Sequence, residues 1–324
     1  MSTATLVPET WELDGEDARR TLARTGRGRL LADAFRRLRV ADGFSHARSL
    51  AFMTSLVLVQ GLIALVRFAS LLGHDDLSTV IVRTIRGAAP GPAGRLLTQA
   101  VVQAQRNGDS RQVAALLFGL VGALVAGTTA MGQLERALNR LYGVERDRPT
   151  VQKYGFALIL AVSAGTVGGC AFATLAFGRT LGNALHDHTV STIWTIVRWP
   201  LGVLFTGIAM TMLFRWCPRR HQPSASWLAF GSAVAILGWT LVTAGLALFF
   251  ALSSSFGQTY GPLAGVVALL IWALLSAIAV LYGAAVAAQL EAVRAGCTDP
   301  QDADKVADSE PDVATHEAVG FLVS

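Results

Sequence analysis

The chain has 324 residues, of which 52% are apolar and only 15% charged, and its mean hydropathy is +0.48. A soluble domain carries about 25% charged residues to cover its surface, so this composition excludes a particle wetted on all sides and points to lipid as solvent. The formal net charge of +5 is carried by arginine, with lysine only at Lys153 and Lys305.

Residues 1–49 form a polar N-terminal region with nine arginines. Within it, RGRLLADAFRRLRVA (27–41) alternates apolar and basic residues at helical spacing. Such a helix is expected to anchor on an anionic leaflet, where each basic residue contributes about 1 kcal/mol. Aromatics do not interleave with these arginines, so a nucleic-acid surface is not expected. The region is also too long and too polar for a cleavable signal peptide.

Six apolar segments follow, at 50–72, 112–133, 154–177, 197–215, 227–251 and 261–288. Each reaches the roughly 20 residues that a helix needs to cross about 30 Å of hydrocarbon. None contains Asp or Glu, as the cost of a charge at mid-bilayer demands. The expected architecture is therefore all-α, a polytopic membrane bundle of about six transmembrane helices over 50–288. An acidic, disordered cytoplasmic tail is expected over 289–324.

The first external connection, 73–111, is not a plain loop. Leu77, Val80, Ile81 and Ile85 make one apolar stripe, GAAPGP (87–92) breaks the helix, and Leu96, Leu97, Ala100, Val101 and Ala104 make a second stripe. Two amphipathic helices are expected there. Their simplest role is to cap the bundle; the functional alternative is a lid or a lipid-headgroup contact through Arg83 and Arg86.

Arg67 is the charge placed well inside a span. It either snorkels to the nearby interface, the simpler reading, or binds an anionic group such as a phosphate or carboxylate. His186 and His188 lack a third ligand, and Cys170, Cys217 and Cys297 have no ligand spacing, so neither a metal nor a disulfide framework is expected. The spacings Gly165/Gly169 and Gly261/Gly265 read as helix-packing signals. No phosphate loop, HExxH or nucleophile elbow occurs, so neither an enzyme nor a cofactor is expected.

Arginine placement sets the expected orientation. The N-terminal region, the loop 134–153 with four Arg and Lys153, and the turn 215–226 with three Arg are all basic. They share one side if both termini are cytoplasmic. The connection 73–111, with five Arg, runs against this bias.

Several segments together resemble the YihY/BrkB family, formerly labelled ribonuclease BN. RSLAFMTSLVLVQ (48–60) is similar to the family's AASLAYYTLLSLFP, and GQLERALNRLYGVERDR (132–148) looks like its helix-ending pattern. RWCPRR (215–220) followed by Trp227 and Gly231 fits an Arg…Pro…Trp…Gly signature, and QTYGPLAGVVALLIW (258–272) is close to TYGSLG…W. The resemblance covers about 40–290. It departs at Gln60, where the family has proline, and at GAAVAAQ (283–289), where the family commonly reads GAELNAE. Ala285, Ala287 and Gln289 thus stand in for polar or acidic residues, which puts a family activity that uses those positions in doubt.

The resemblance implies a six-span protein of the bacterial cytoplasmic membrane connected with envelope integrity. Its partners would be membrane lipids and envelope-assembly proteins. Two activities are compatible with it: movement of a lipid or other amphipathic envelope component, or a non-transporting scaffold.

Overall fold

A computed structural model describes residues 3–10, 12–71, 76–106, 112–184, 188–253 and 255–301. Every regular element among them is helical. Residues 302–324, most of the expected tail, lie outside the described residues, as do His186 and Asp187.

An extended segment, 3–10, leads to α1 (Gly15–Thr25), which begins on a capping box. The Asp14 carboxylate accepts from the Glu16 and Asp17 amides, and the Asp17 side chain returns to the Asp14 amide. α2 (Arg27–Val40) follows through Gly26, whose φ of 83° suits glycine. Asp42 at φ 53° then turns the chain into α3 (Gly43–Leu71). Gly43 is required there, because a Cβ would lie 2.3 Å from the Leu38 side chain.

α4 (Asp76–Ala88) and α5 (Gly91–Arg106) form a hairpin between α3 and α6 (Gln112–Leu141). Next come α7 (Thr150–Ala184), α8 (His188–Trp216), α9 (Ala225–Leu252) and the short α10 (Ser255–Tyr260). A 3-10 turn then leads into α11 (Ala264–Arg294). α3, α6, α7, α8, α9 and α11 each contain a stretch long and apolar enough to cross a membrane. Helices of 28 to 35 residues rise about 1.5 Å per residue. They therefore overshoot the hydrocarbon and extend into the interfaces.

α11 is the central helix. It packs against α9, α3, α5, α2 and α6, and its span is the most buried of the six. Its closest approach is to α9, where Gly231 faces Gly283. A Cβ on Gly231 would lie 2.6 Å from the Gly283 oxygen, and one on Gly283 would lie 2.5 Å from the Gly231 oxygen. Ala285 and Ala287 are fully buried beside this crossing, where only small side chains leave room for the two backbones.

The two largest apolar clusters among the described residues sit at opposite ends of the bundle. At the end carrying both termini, α2, α6, α8, α9 and α11 bury Leu38, Leu138, Phe214, Trp227 and Leu281. At the opposite end Ile81, Ile85, Leu97 and Val101 of the α4–α5 hairpin pack with Val66, Phe256, Leu269 and Trp272. Gly261 at φ 49° makes the turn into α11, and the Trp272 indole donates to Thr243 of α9 at 3.0 Å. That accounts physically for the TYG…W pattern.

Three expectations require correction here. The last helix does not stop at 288: it runs to Arg294, and residues 289–301 pack onto the bundle, with the Thr298 and Pro300 carbonyls accepting hydrogen bonds. α2 is not simply an interfacial anchor, since Arg37 and Leu38 are sealed inside while Leu31 and Phe35 stay exposed. Of the four packing glycines, Gly165 and Gly169 face open space and Gly261 is a turn residue with no close neighbour. Gly265 does sit at a close approach, since a Cβ there would lie 2.9 Å from the Leu96 Cβ of α5.

Candidate functional site

The richest chemistry lies at the termini end, one turn beyond the apolar stretches. α6 continues past its span and presents Glu135, Arg136 and Asn139. Asp147, in the loop to α7, gathers three donors: Asn139 at 3.0 Å, Arg136 at 3.2 Å and Lys153 at 3.1 Å. Burial pushes its carboxyl up, but the hydrogen bonds from Asn139 and Lys153, together with the Lys153 charge, hold it below the ordinary value. Arg148 pairs with Glu135 at 3.1 Å, donates to the Cys217 carbonyl at 2.9 Å and stacks on the Phe156 ring. The Arg219 amide closes this half by donating to the Asn139 side chain at 2.8 Å.

A second half joins the N-terminal segment to α11. Arg220 donates to both oxygens of Glu291, at 2.7 and 3.4 Å, and lies over the Tyr142 ring. Thr10 donates to the same carboxylate and the Pro8 carbonyl accepts from Arg220. Arg37 donates to Gln289 at 2.7 Å and to the Leu141 and Thr5 carbonyls. Burial lowers the Arg37 guanidinium to about 10, which leaves it charged at neutral pH. Burial likewise pushes the Tyr142 phenol and the Cys217 thiol up, so neither ionises near neutrality.

This arrangement is a brace that ties distant segments of the chain together: Glu135, Asp147 and Glu291 each pair with a cation, while Arg37 is held by a carboxamide and two carbonyls. Among the described residues no group of three or more His, Cys, Asp or Glu could hold a metal. The six apolar segments lack Asp and Glu, but at this end the bundle buries Arg37, Glu135, Lys153 and Glu291 outside them. Hydropathy hides them because they begin just where the apolar stretches stop. The spacing of Glu135 and Asn139, four apart on one helix face, was the available signal.

Arg67, Arg83 and Arg86 do not share one environment. Arg67 is 2% exposed on α3, so it does not snorkel; the bundle encloses it beside Val66 of the far cluster. Arg83 and Arg86 are exposed on α4. Arg86 lines a cavity of about 450 Å³ together with Ala89, Gly91, Gly94, Arg95, Thr98 and Gln99. A larger groove of about 890 Å³ runs between α8 and α9. Val203, Leu204, Ile208, Ile236 and Leu237 line it, with Arg215, Trp216 and Ser226 toward the termini end. The Thr211 and Ser232 hydroxyls bond each other within it at 3.0 Å.

Residues 34–308 match the family described as Virulence factor BrkB. The chain belongs to that family. It is a bacterial-type membrane protein related to several others. One is the ribonuclease-like protein YfkH of Bacillus subtilis (strain 168), 26% identical over 267 residues, covering 80% of this chain and 94% of that one. Another is a UPF0761 membrane protein of Azoarcus sp. (strain BH72), 29% identical over 268 residues, 82% of this chain and 63% of that one. A third is a Mycobacterium tuberculosis protein named "Probable sulfate transporter", 33% identical over 159 residues, 46% of this chain and 26% of its own length. No solved structure matches the chain.

Proposed function

We propose that this BrkB-family member moves a lipid or other anionic amphipathic envelope component across the bacterial cytoplasmic membrane, with both termini cytoplasmic and without catalysing a covalent step. The observation that carries the reading is the α8–α9 groove. Its walls are aliphatic, as acyl chains require, and a cation and an indole sit together at one end, where a headgroup meets the interface. α9 is the span least buried within the protein, with Leu241 and Leu252 among its bare residues. A hydroxyl pair within the groove offers a polar stopping point in an otherwise apolar track.

The test is reconstitution into liposomes carrying fluorescent phospholipid or polyprenyl phosphate, with quenching of the label exposed at the outer surface. Transport faster than in empty vesicles, reduced to background by the groove-filling Ala233→Trp, is expected. Rates equal to empty vesicles for both lipids overturn the proposal. Incubating the same protein with RNA tests the non-enzymatic part, for which no cleavage is expected despite the name carried by YfkH.

A scaffold reading rests on a separate observation. α1 and α2 are held firmly to the bundle and turn Arg20, Arg24, Arg36 and Arg39 outward. If these bind an envelope-assembly protein, Arg36→Glu with Arg39→Glu abolishes its crosslinking in cells and leaves lipid movement unchanged.

A further inference from the structure

We infer that the cavity at the start of α5 is a binding site for a phosphate-type oxyanion. The argument begins with donors. Arg86 from α4 and Arg95 from α5 line the same space, and among the described residues neither makes an ion pair. Two guanidinium groups sharing a cavity repel one another, and an oxyanion between them relieves that repulsion while accepting charge-assisted hydrogen bonds.

Thr98 supplies the second, independent observation. Its residue is 8% exposed and lines the cavity, and its hydroxyl has no hydrogen-bond partner. A helical threonine usually donates to the carbonyl four residues back. Thr84, Thr129, Thr166, Thr206 and Thr240 of this chain all do so. Thr98 does not, and a buried hydroxyl left unbonded is costly unless a ligand completes it.

The backbone adds direction but few donors. Gly91, at φ 46°, places the start of α5 so close to Phe250 that a Cβ would lie 2.7 Å from it. That fixes the positive end of the α5 dipole at the cavity. Pro92 has no amide hydrogen and the Ala93 amide is engaged with the Pro90 carbonyl, so the side chains must hold the ligand. The hairpin follows α3 and precedes α6, and so lies at the membrane boundary opposite the termini. An oxyanion can reach it either as a lipid headgroup or free in solution.

This site is distinct from the α8–α9 groove, and its occupancy does not require transport. The experiment uses the full chain purified in a neutral detergent. Thermal unfolding is followed with inorganic phosphate, and native mass spectrometry follows nanodiscs of phosphatidylglycerol against phosphatidylcholine. Wild type is expected to be stabilised by at least one anionic probe and not by phosphatidylcholine. Arg86→Gln with Arg95→Gln is expected to weaken that binding more than tenfold, since each charge-assisted bond is about twice as strong as a neutral one. Thr98→Val should weaken it about three- to tenfold, the worth of a single hydrogen bond, and Thr98→Ser should restore it. Stabilisation by phosphatidylglycerol alone assigns the ligand to lipid, by phosphate alone to a free anion, and by both to a site that accepts either. Failure of both probes, or variants that bind like wild type with unchanged elution and helix content, overturns the site. Lipid transport can fail while this binding persists, so the two proposals are separable.

Discussion

The Arg220 guanidinium meets the Glu291 carboxylate at 2.7 Å with side chains only 2% and 0% exposed. The pair ties the α8–α9 connection to the end of α11, and Thr10 and Pro8 add contacts from the N-terminal segment. Removing one member leaves the other charged, buried and unpaired, at a cost of about 3–5 kcal/mol, whereas replacing both with apolar residues avoids that penalty. Arg220→Ala and Glu291→Ala are each expected to lower the thermal midpoint in detergent markedly. Arg220→Met with Glu291→Leu should lose less than the sum of the two. A double-mutant cycle that shows simple additivity counts against a coupled pair.

Asp147 makes part of the brace sensitive to acid. Its folded pKa lies below the ordinary 3.8, so the unfolded chain takes up the proton first as pH falls. The stabilisation is therefore complete at pH values above about 5 and is lost as pH drops through the lowered folded value. Asp147→Asn should be less stable than wild type at pH 7 and should show a shallower loss between pH 5 and pH 3. Melting curves across that range decide it, and an unchanged acid slope removes Asp147 from the explanation.

The six spans were legible because crossing lipid demands long acid-free apolar runs, and the runs at 112–133 and 227–251 fall within α6 and α9. The brace was not legible by that rule. Hydropathy ends the second span at 133 and the last at 288, while α6 continues to Leu141 and α11 to Arg294. Glu135 and Glu291 occupy those extra turns. Arg67 was visible as a charge, but its burial depends on what α3 packs against, which periodicity within α3 does not contain. The Arg86 cavity was half visible: the break at GAAPGP marked the hairpin, yet the orphaned Thr98 hydroxyl exists only in three dimensions.

Glycine spacing shows the same limit and gives a third prediction. Gly165 and Gly169 have the spacing of a packing motif but face open space, whereas Gly231 and Gly283, on separate helices, make the close crossing. Gly231→Ala forces a Cβ to within 2.6 Å of the Gly283 oxygen and should destabilise by about 1–3 kcal/mol through overpacking. Gly165→Ala and Gly169→Ala should be neutral or stabilising by up to about 1 kcal/mol, since alanine is the better helix former. Thermal midpoints of the single variants in one detergent test the contrast. If Gly165→Ala proves as damaging as Gly231→Ala, the packing assignment is wrong.

Gln289 lets the chain's departure from the family pattern be tested directly. Its carboxamide oxygen accepts from Arg37 at 2.7 Å and its nitrogen donates to the Thr298 carbonyl at 2.8 Å. Gln289→Leu strands the buried Arg37 Nε, and an unsatisfied buried group costs about 1–3 kcal/mol, whereas the carbonyl of the exposed Thr298 can turn to water. Gln289→Glu, which restores the acidic residue of the pattern that 283–289 was compared with, behaves differently. It converts the bond to Arg37 into an ion pair, which gains from the shared burial, but it loses the donor to Thr298 and sets a carboxylate near that carbonyl. These two changes oppose each other, so Gln289→Glu should stay within about 1 kcal/mol of wild type, while Gln289→Leu should fall well below it. Unfolding of both variants at pH 7, where Arg37 is charged, measures the difference. Equal losses would mean that the Arg37 bond does not hold the end of α11. A near-neutral Gln289→Glu would show that this chain has kept the family's architecture at 289 with an uncharged residue.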